Sequence, residues 1–191
     1  MVKISKFRKV RGIPNLKKPD VGLCKNCQIG KMRKTSFKSK NYQSKDILEI
    51  VHTDLCGPIG VESYTGEKIF ILFVDEYSRM MIVMYLREKL EAFEKFKCYL
   101  ERVEKEIEKR LKFLRSDRGG EFISNKFNKF FIERGIKRHV STPGTPEKNR
   151  IAERRYRSIM DCARTLMIEK NISLRYWKEA INIAVHTLNR A

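Results

Sequence analysis

Three carboxylates, Asp54, Asp117 and Glu153, stand in contexts suited to metal-assisted phosphoryl chemistry. Asp54 lies in H-T-D-L-C-G-P, Asp117 in S-D-R-G-G-E-F and Glu153 in K-N-R-I-A-E-R-R, with 35 residues between the last two. Carboxylate oxygens are hard donors of the kind Mg²⁺ and Mn²⁺ prefer. Two such ions about 4 Å apart activate the attacking oxygen and neutralise the leaving oxygen of an in-line displacement. Each acid also has a plainer reading, as a surface carboxylate or, for Glu153, as a helix-start acid complementing the helix dipole. Spacing alone leaves both readings open.

The surrounding pattern supplies elements to position these acids. Ile47–Leu55, Lys68–Val74 and Met80–Leu86 are rich in Ile, Val, Phe and Tyr and read as three hairpin-linked strands. Phe93, Phe96, Leu100, Val103 and Ile107 recur at helical spacing within Lys89–Arg110. A strand over Leu111–Ser116 is followed by a helix over Asn125–Arg134 with Gly135 at its cap position, then a strand over Ile136–Ser141. Helices from about Ile151 to Lys170 and from Ser173 to Arg190 complete the chain. The order βββαβαβαα predicts an α/β layer with a mixed sheet, antiparallel first and parallel later. In such a sheet the first and fourth strands are able to lie side by side, bringing Asp54 and Asp117 to one edge.

The chain has 191 residues and a formal charge of +19, from 42 Lys and Arg against 23 Asp and Glu. Met1–Lys45 holds 14 of those basic residues and one acid, Asp20, and reads as a basic arm and linker ahead of a folded domain over residues 46–191. Such a block favours phosphate backbones as a partner; no amphipathic helix accompanies it to suit a membrane surface. The longest apolar runs, Ile69–Val74 and Met80–Leu86, have strand length, which argues against a membrane span. No apolar stretch follows the basic N-terminus, so no secretory signal is expected. Five irregularly spaced cysteines do not form a disulfide framework and point to a reducing compartment, nucleus or cytoplasm.

Several strings, taken in order, resemble the catalytic core of a copia-type (pseudovirid) retrotransposon integrase. They are C-K-N-C-Q-I-G-K at Cys24–Lys31, H-T-D-L-C-G-P at His52–Pro58, F-V-D-E-Y-S-R at Phe73–Arg79 and L-R-S-D-R-G-G-E-F at Leu114–Phe122. T-P-E-K-N-R-I-A-E-R at Thr145–Arg154 and the helix Trp177–Arg190 complete the set. The resemblance implies an RNase H-like three-layer fold with a five-stranded mixed sheet flanked by helices. It also implies a catalytic triad of Asp54, Asp117 and Glu153 holding two Mg²⁺ or Mn²⁺ ions. The implied activity joins retroelement DNA 3′ ends to target DNA, in a homo-oligomer assembled on that DNA.

Two features depart from the family pattern. Lys148-Asn149-Arg150 stands where the family has Gln-Asn-Gly, removing a glycine's freedom and adding two cations before the third helix. Cys24 and Cys27 have zinc spacing, but the family's upstream histidine pair is absent, and two cysteines do not close a tetrahedral site. Bound zinc is therefore not expected. Arg150, Arg154, Arg157, Asp161 and Arg164 share one face of the third helix, with Glu153 at the border of the apolar face of Ala152, Tyr156, Ile159, Ala163 and Leu166. Lys148, Asn149, Arg150, Arg154 and Arg157 are the expected DNA contacts. Tyr64, Thr65 and Lys68 are weaker candidates, while Trp177 is expected to anchor the core. Asp75, Glu76 and Glu121 lie near the proposed site in sequence and read as turn acids, with a supporting place beside the metal ligands as the alternative; His52, His139 and His186 read as packing residues. A catalytically inactive, nucleic-acid-binding relic and a nuclease of the same fold remain alternatives.

Overall fold

β1 (Ile50–Cys56) is the middle strand of the sheet, with an antiparallel neighbour on one side and a parallel one on the other. On one side it pairs antiparallel with β2 (Ile69–Asp75), which in turn pairs antiparallel with β3 (Met81–Leu86). Every residue of β2 is buried, as a strand covered on both faces requires. On the other side β1 pairs parallel with β4 (Phe113–Ser116), which pairs parallel with β5 (Lys137–Val140). The strand order β3-β2-β1-β4-β5 and the mixed polarity agree with the order of elements read from the sequence. This computed structural model describes residues 44–116, 122, 124–140 and 150–190. Contacts divide the chain into Met1–Ser39 and Lys40–Ala191, and all described residues belong to the second unit.

Among the described residues four helices cover the sheet, in two pairs. α1 (Ala92–Ile107) and α2 (Asn125–Arg134) share one core with Val51, Ile71 and Phe73, in which Phe96, Tyr99, Phe127 and Phe131 are buried. The rings of Phe73 and Tyr99 stack with centroids 3.9 Å apart. α3 (Arg150–Glu169) and α4 (Trp177–Leu188) share a second core with Cys56, Phe70, Leu72 and Val74, through Ile159, Ala163, Trp177 and Ile181. Burying a large apolar side chain is worth about 1.5–3 kcal/mol, so the two cores hold the helices to their respective faces.

The ends of elements differ from the sequence reading where single residues turn the chain. β1 starts at Ile50 rather than Ile47, because Leu48 takes a left-handed conformation (φ 60°) and donates its N–H to Asp75 Oδ1 at 2.8 Å. α1 is shorter at both ends than Lys89–Arg110. A 3₁₀ turn over Lys89–Glu91 precedes it, and Glu108 leaves the helix with φ 57°. α2 has the expected bounds: Gly135 turns left-handed at φ 69°, which lets Ile136 N–H reach Phe131 O at 2.9 Å.

Candidate active site

Side chains alternate across a strand, so Asp54 shares its face of β1 with Cys56 and opposes Leu72 of β2, both on the side covered by α3 and α4. Asp54 is partly buried and engaged with its surroundings. α3 packs on β1 and β2 through a face that buries Ala152, Ile159 and Ala163. Tyr156 lies on that face, its ring centroid 5.9 Å from that of Phe70. Burial raises the Tyr156 hydroxyl above its ordinary pKa, and the nearby Cys56 and Asp54 raise it further. Tyr156 and Asp54 are therefore electrostatic neighbours. Glu153 stands three residues before Tyr156, one turn nearer the start of α3, and is partly buried at the border expected for it.

Asp117 lies outside the described residues. The residue before it, buried Ser116, ends β4 beside β1, and His52 and Arg115 are register partners across that parallel pair. Glu121, Lys148, Asn149, Cys24 and Cys27 also lie outside them, and Arg150 is described only as the first residue of α3. Among the described residues no group of three or more His, Cys, Asp or Glu side chains is placed to hold a metal. The donor chemistry of Asp54 and Glu153 nevertheless fits a hard divalent cation. Both are partly buried carboxylates on elements packed against each other.

A buried polar cluster adjoins Asp54. Glu76, 5% exposed, receives hydrogen bonds at Oε2 from His52 Nε2 at 2.6 Å and from Arg115 Nη1 at 2.8 Å. Ser44 N–H donates to its Oε1 at 3.1 Å. Burial pushes the Glu76 carboxyl up, but His52, Ser44 and Arg115 together hold it below the usual carboxylate range. Asp75 is also buried, receiving the N–H groups of Leu48 and Ser78. These two acids are thus internal organisers of the fold rather than plain turn acids, and His52 is a hydrogen-bonded residue rather than simple packing. An acid following an apolar run carries no mark of burial in sequence, because its partners Arg115 and Leu48 come from distant segments.

Arg154, Arg157, Asp161 and Arg164 are exposed, as the helical spacing predicts. Sequence spacing missed two further cations. Arg79, after β2, and Arg155, on α3, join Arg154 and Ile151 around a cleft of about 260 Å³. The F-V-D-E-Y-S-R string contains Arg79, but only the approach of α3 to the β2–β3 turn brings it near Arg154.

In the β1–β2 loop, Tyr64 lies tilted against Tyr176 with centroids 4.6 Å apart, and Lys68 pairs with Glu62 at 2.7 Å. Lys178 Nζ donates to Thr65 Oγ1 and Glu67 Oε1, each at 2.8 Å. Trp177 is a core anchor, 5% exposed, and donates its indole N–H to Val61 O at 2.9 Å. His139 and His186 are exposed, which corrects their reading as packing residues; His139 lies against Phe113 with ring centroids 5.0 Å apart.

A family model described as "Integrase core domain" matches residues 47–146. The chain is 36% identical over 168 residues to the retrovirus-related Pol polyprotein from transposon TNT 1-94 of Nicotiana tabacum, covering 88% of this chain and 13% of that protein. It is 30% identical over 167 residues to the corresponding polyprotein from transposon RE1 of Arabidopsis thaliana, covering 87% of this chain and 11% of that protein. The chain thus spans a small fraction of the curated relatives it matches.

Among solved structures, the simian T-cell lymphotropic virus intasome in complex with PP2A regulatory subunit B56 gamma superposes with a TM-score of 0.63 at 14% identity. That match covers 86% of this chain and 56% of the other. The HTLV-2 integrase catalytic core domain in complex with magnesium, in its dimeric form, gives a TM-score of 0.53 at 19% identity, covering 74% of this chain and 86% of that one. These likenesses identify the five-stranded sheet and its flanking helices as the RNase H-like fold expected from the motifs. The chain belongs to the integrase core domain family, in the copia-type retrotransposon branch that its motifs resemble.

Proposed function

We propose that this chain joins the 3′ ends of retroelement DNA to target DNA, using Asp54, Asp117 and Glu153 to hold two divalent ions. The observation that carries the reading is the seat of Asp54 on the central strand, on the sheet face packed by the helix that presents Glu153. In the reaction a 3′-hydroxyl oxygen attacks a target phosphorus. The new P–O bond forms as the bond to the target's own 3′ oxygen breaks, and that oxygen leaves to take up a proton. The ions, when bound, supply charge neutralisation at the attacking and leaving oxygens. The protein's part is positioning. β1 and α3 hold the carboxylates, and Arg154, Arg157 and the Arg79–Arg155 cleft orient backbone phosphates without reading sequence.

Residues 46–191 form the catalytic core in this reading, and residues 1–45 a basic arm that adds phosphate contacts. The active species in this reading is a homo-oligomer on DNA, in the nucleus or cytoplasm. The departure at Lys148-Asn149-Arg150 favours a second reading, a relic that binds nucleic acid without chemistry.

A strand-transfer assay separates the two. Purified chain is mixed with a labelled duplex mimicking an element end, target plasmid and Mg²⁺ or Mn²⁺. Joined product that disappears in Glu153→Gln supports the transferase. Binding without product in either protein supports the relic, and nicking without joining supports a nuclease.

A further inference from the structure

Glu76 occupies a place that neither its sequence context nor its neighbours in the chain explain. Its backbone N–H is tied to Ile50 O at the start of β1 at 2.9 Å, and its Oε1 accepts from Ser44 N–H, so the residue is held from two sides. Its Oε2 then receives both His52, from β1, and Arg115, from β4. Those two residues are register partners, and each precedes a proposed metal-binding acid by two positions: His52 before Asp54, Arg115 before Asp117. Among the described residues, His52 Nδ1 and Arg115 Nε have no hydrogen-bond partner, so Glu76 is the carboxylate on which both side chains depend.

The tie bears on the register of the two strands. Among the described residues the β1–β4 ladder shows three register pairs, Ile50 with Phe113, Val51 with Leu114 and His52 with Arg115. A slip by one residue would turn every side chain of β4 to the opposite face of the sheet. A charge-assisted bond to a guanidinium and a second to an imidazole, converging on one oxygen, oppose that slip.

We propose that Glu76 is a positioning residue: by binding His52 and Arg115 together it fixes β1 against β4 and thereby sets the spacing of the carboxylates that hold divalent cations. The inference rests on the reading of Asp54 and Asp117 as cation ligands, and the experiment keeps the two apart. Mn²⁺ binding to the full chain is titrated by electron paramagnetic resonance, without DNA, for the wild type, Asp54→Asn, Glu76→Gln and Glu76→Gln/Arg115→Met. The double variant leaves no unpaired buried charge, so it serves where Glu76→Gln alone fails to fold. Phe131→Leu, in the core on the other sheet face, serves as a control for lost stability, with melting temperatures recorded throughout.

Removing a side chain that orients metal ligands characteristically costs about 10- to 100-fold in metal affinity. The clamp variants are expected to bind Mn²⁺ about tenfold more weakly than the wild type. Phe131→Leu is expected to melt lower with unchanged affinity, and Arg115→Lys, titrated alongside and keeping a cation facing Glu76, to bind nearly as tightly as the wild type. Clamp variants that bind as the wild type does, while Asp54→Asn does not bind, overturn the clamp and leave the metal site standing. Wild type that binds no more tightly than Asp54→Asn overturns the metal reading itself, and the clamp with it.

Discussion

Replacing Arg79, Arg154 and Arg155 together by Gln tests whether the cleft they line receives DNA phosphates. Arg79 and Arg154 are exposed, Arg155 is partly buried, and none of the three pairs with a carboxylate among the described residues. Three like charges around one concavity repel one another until an anion enters, which gives each a reason to bind phosphate. Each phosphate neutralised on duplex DNA steepens the fall of log affinity with log salt by about 0.9. The triple variant should therefore show a slope shallower by about 2.7 than the wild type. Over a fourfold rise in salt, from about 50 to about 200 mM, the wild type should lose roughly 40-fold more affinity than the variant. Fluorescence polarisation of a labelled duplex at several NaCl concentrations measures both slopes. Lys105, Lys126 and Lys129, exposed on α1 and α2 over the other sheet face, are replaced by Gln as the control of equal charge. A slope change of less than about one phosphate's worth, or an equal change in the control, refutes the assignment.

Two other outcomes concern stability. Burial raises the Glu67 carboxyl, but hydrogen bonds from Lys178, Ser63 and Thr65 outweigh it and bring the pKa from its ordinary 4.5 down to about 2. Its stabilising contribution is thus complete above pH 4.5 and lost as pH falls toward about 2. Glu67→Gln should cost about 1 kcal/mol at neutral pH after allowance for solvent screening, with the gap to the wild type closing across that window in urea melts. Gly135→Ala meets no atom within 4 Å of the added methyl, so only its φ of 69° resists the change. The expected loss is about 1–2 kcal/mol, read from thermal or urea unfolding; an unchanged midpoint would show that α2 ends equally well without the left-handed cap.

The order of strands and helices was legible because each buried element carries its own periodicity. β2 reads as an uninterrupted apolar run, and α3 separates Ala152, Ile159 and Ala163 from its arginines along a helical repeat. The ends of β1 and α1 were not legible, since Leu48 and Glu108 adopt left-handed conformations that their residue types do not announce. Asp54 and Glu153 were singled out by their motifs, and alternation alone places Asp54, His52 and Cys56 on one face of β1. The burial of Glu76 was hidden, because burial of an acid depends on partners that arrive from elsewhere in the chain.

The amino-acid sequence by itself determined the family, the run of elements and the acids and arginines available for chemistry, because local periodicity and short motifs are written along the chain. Only the tertiary structure decided that Glu76 joins His52 to Arg115 and that Arg79 meets Arg154 and Arg155 around one cleft. These contacts join segments between 24 and 39 residues apart at Glu76, and still further apart at the cleft. Such neighbours are chosen by sheet order and helix packing, which no local stretch of sequence contains.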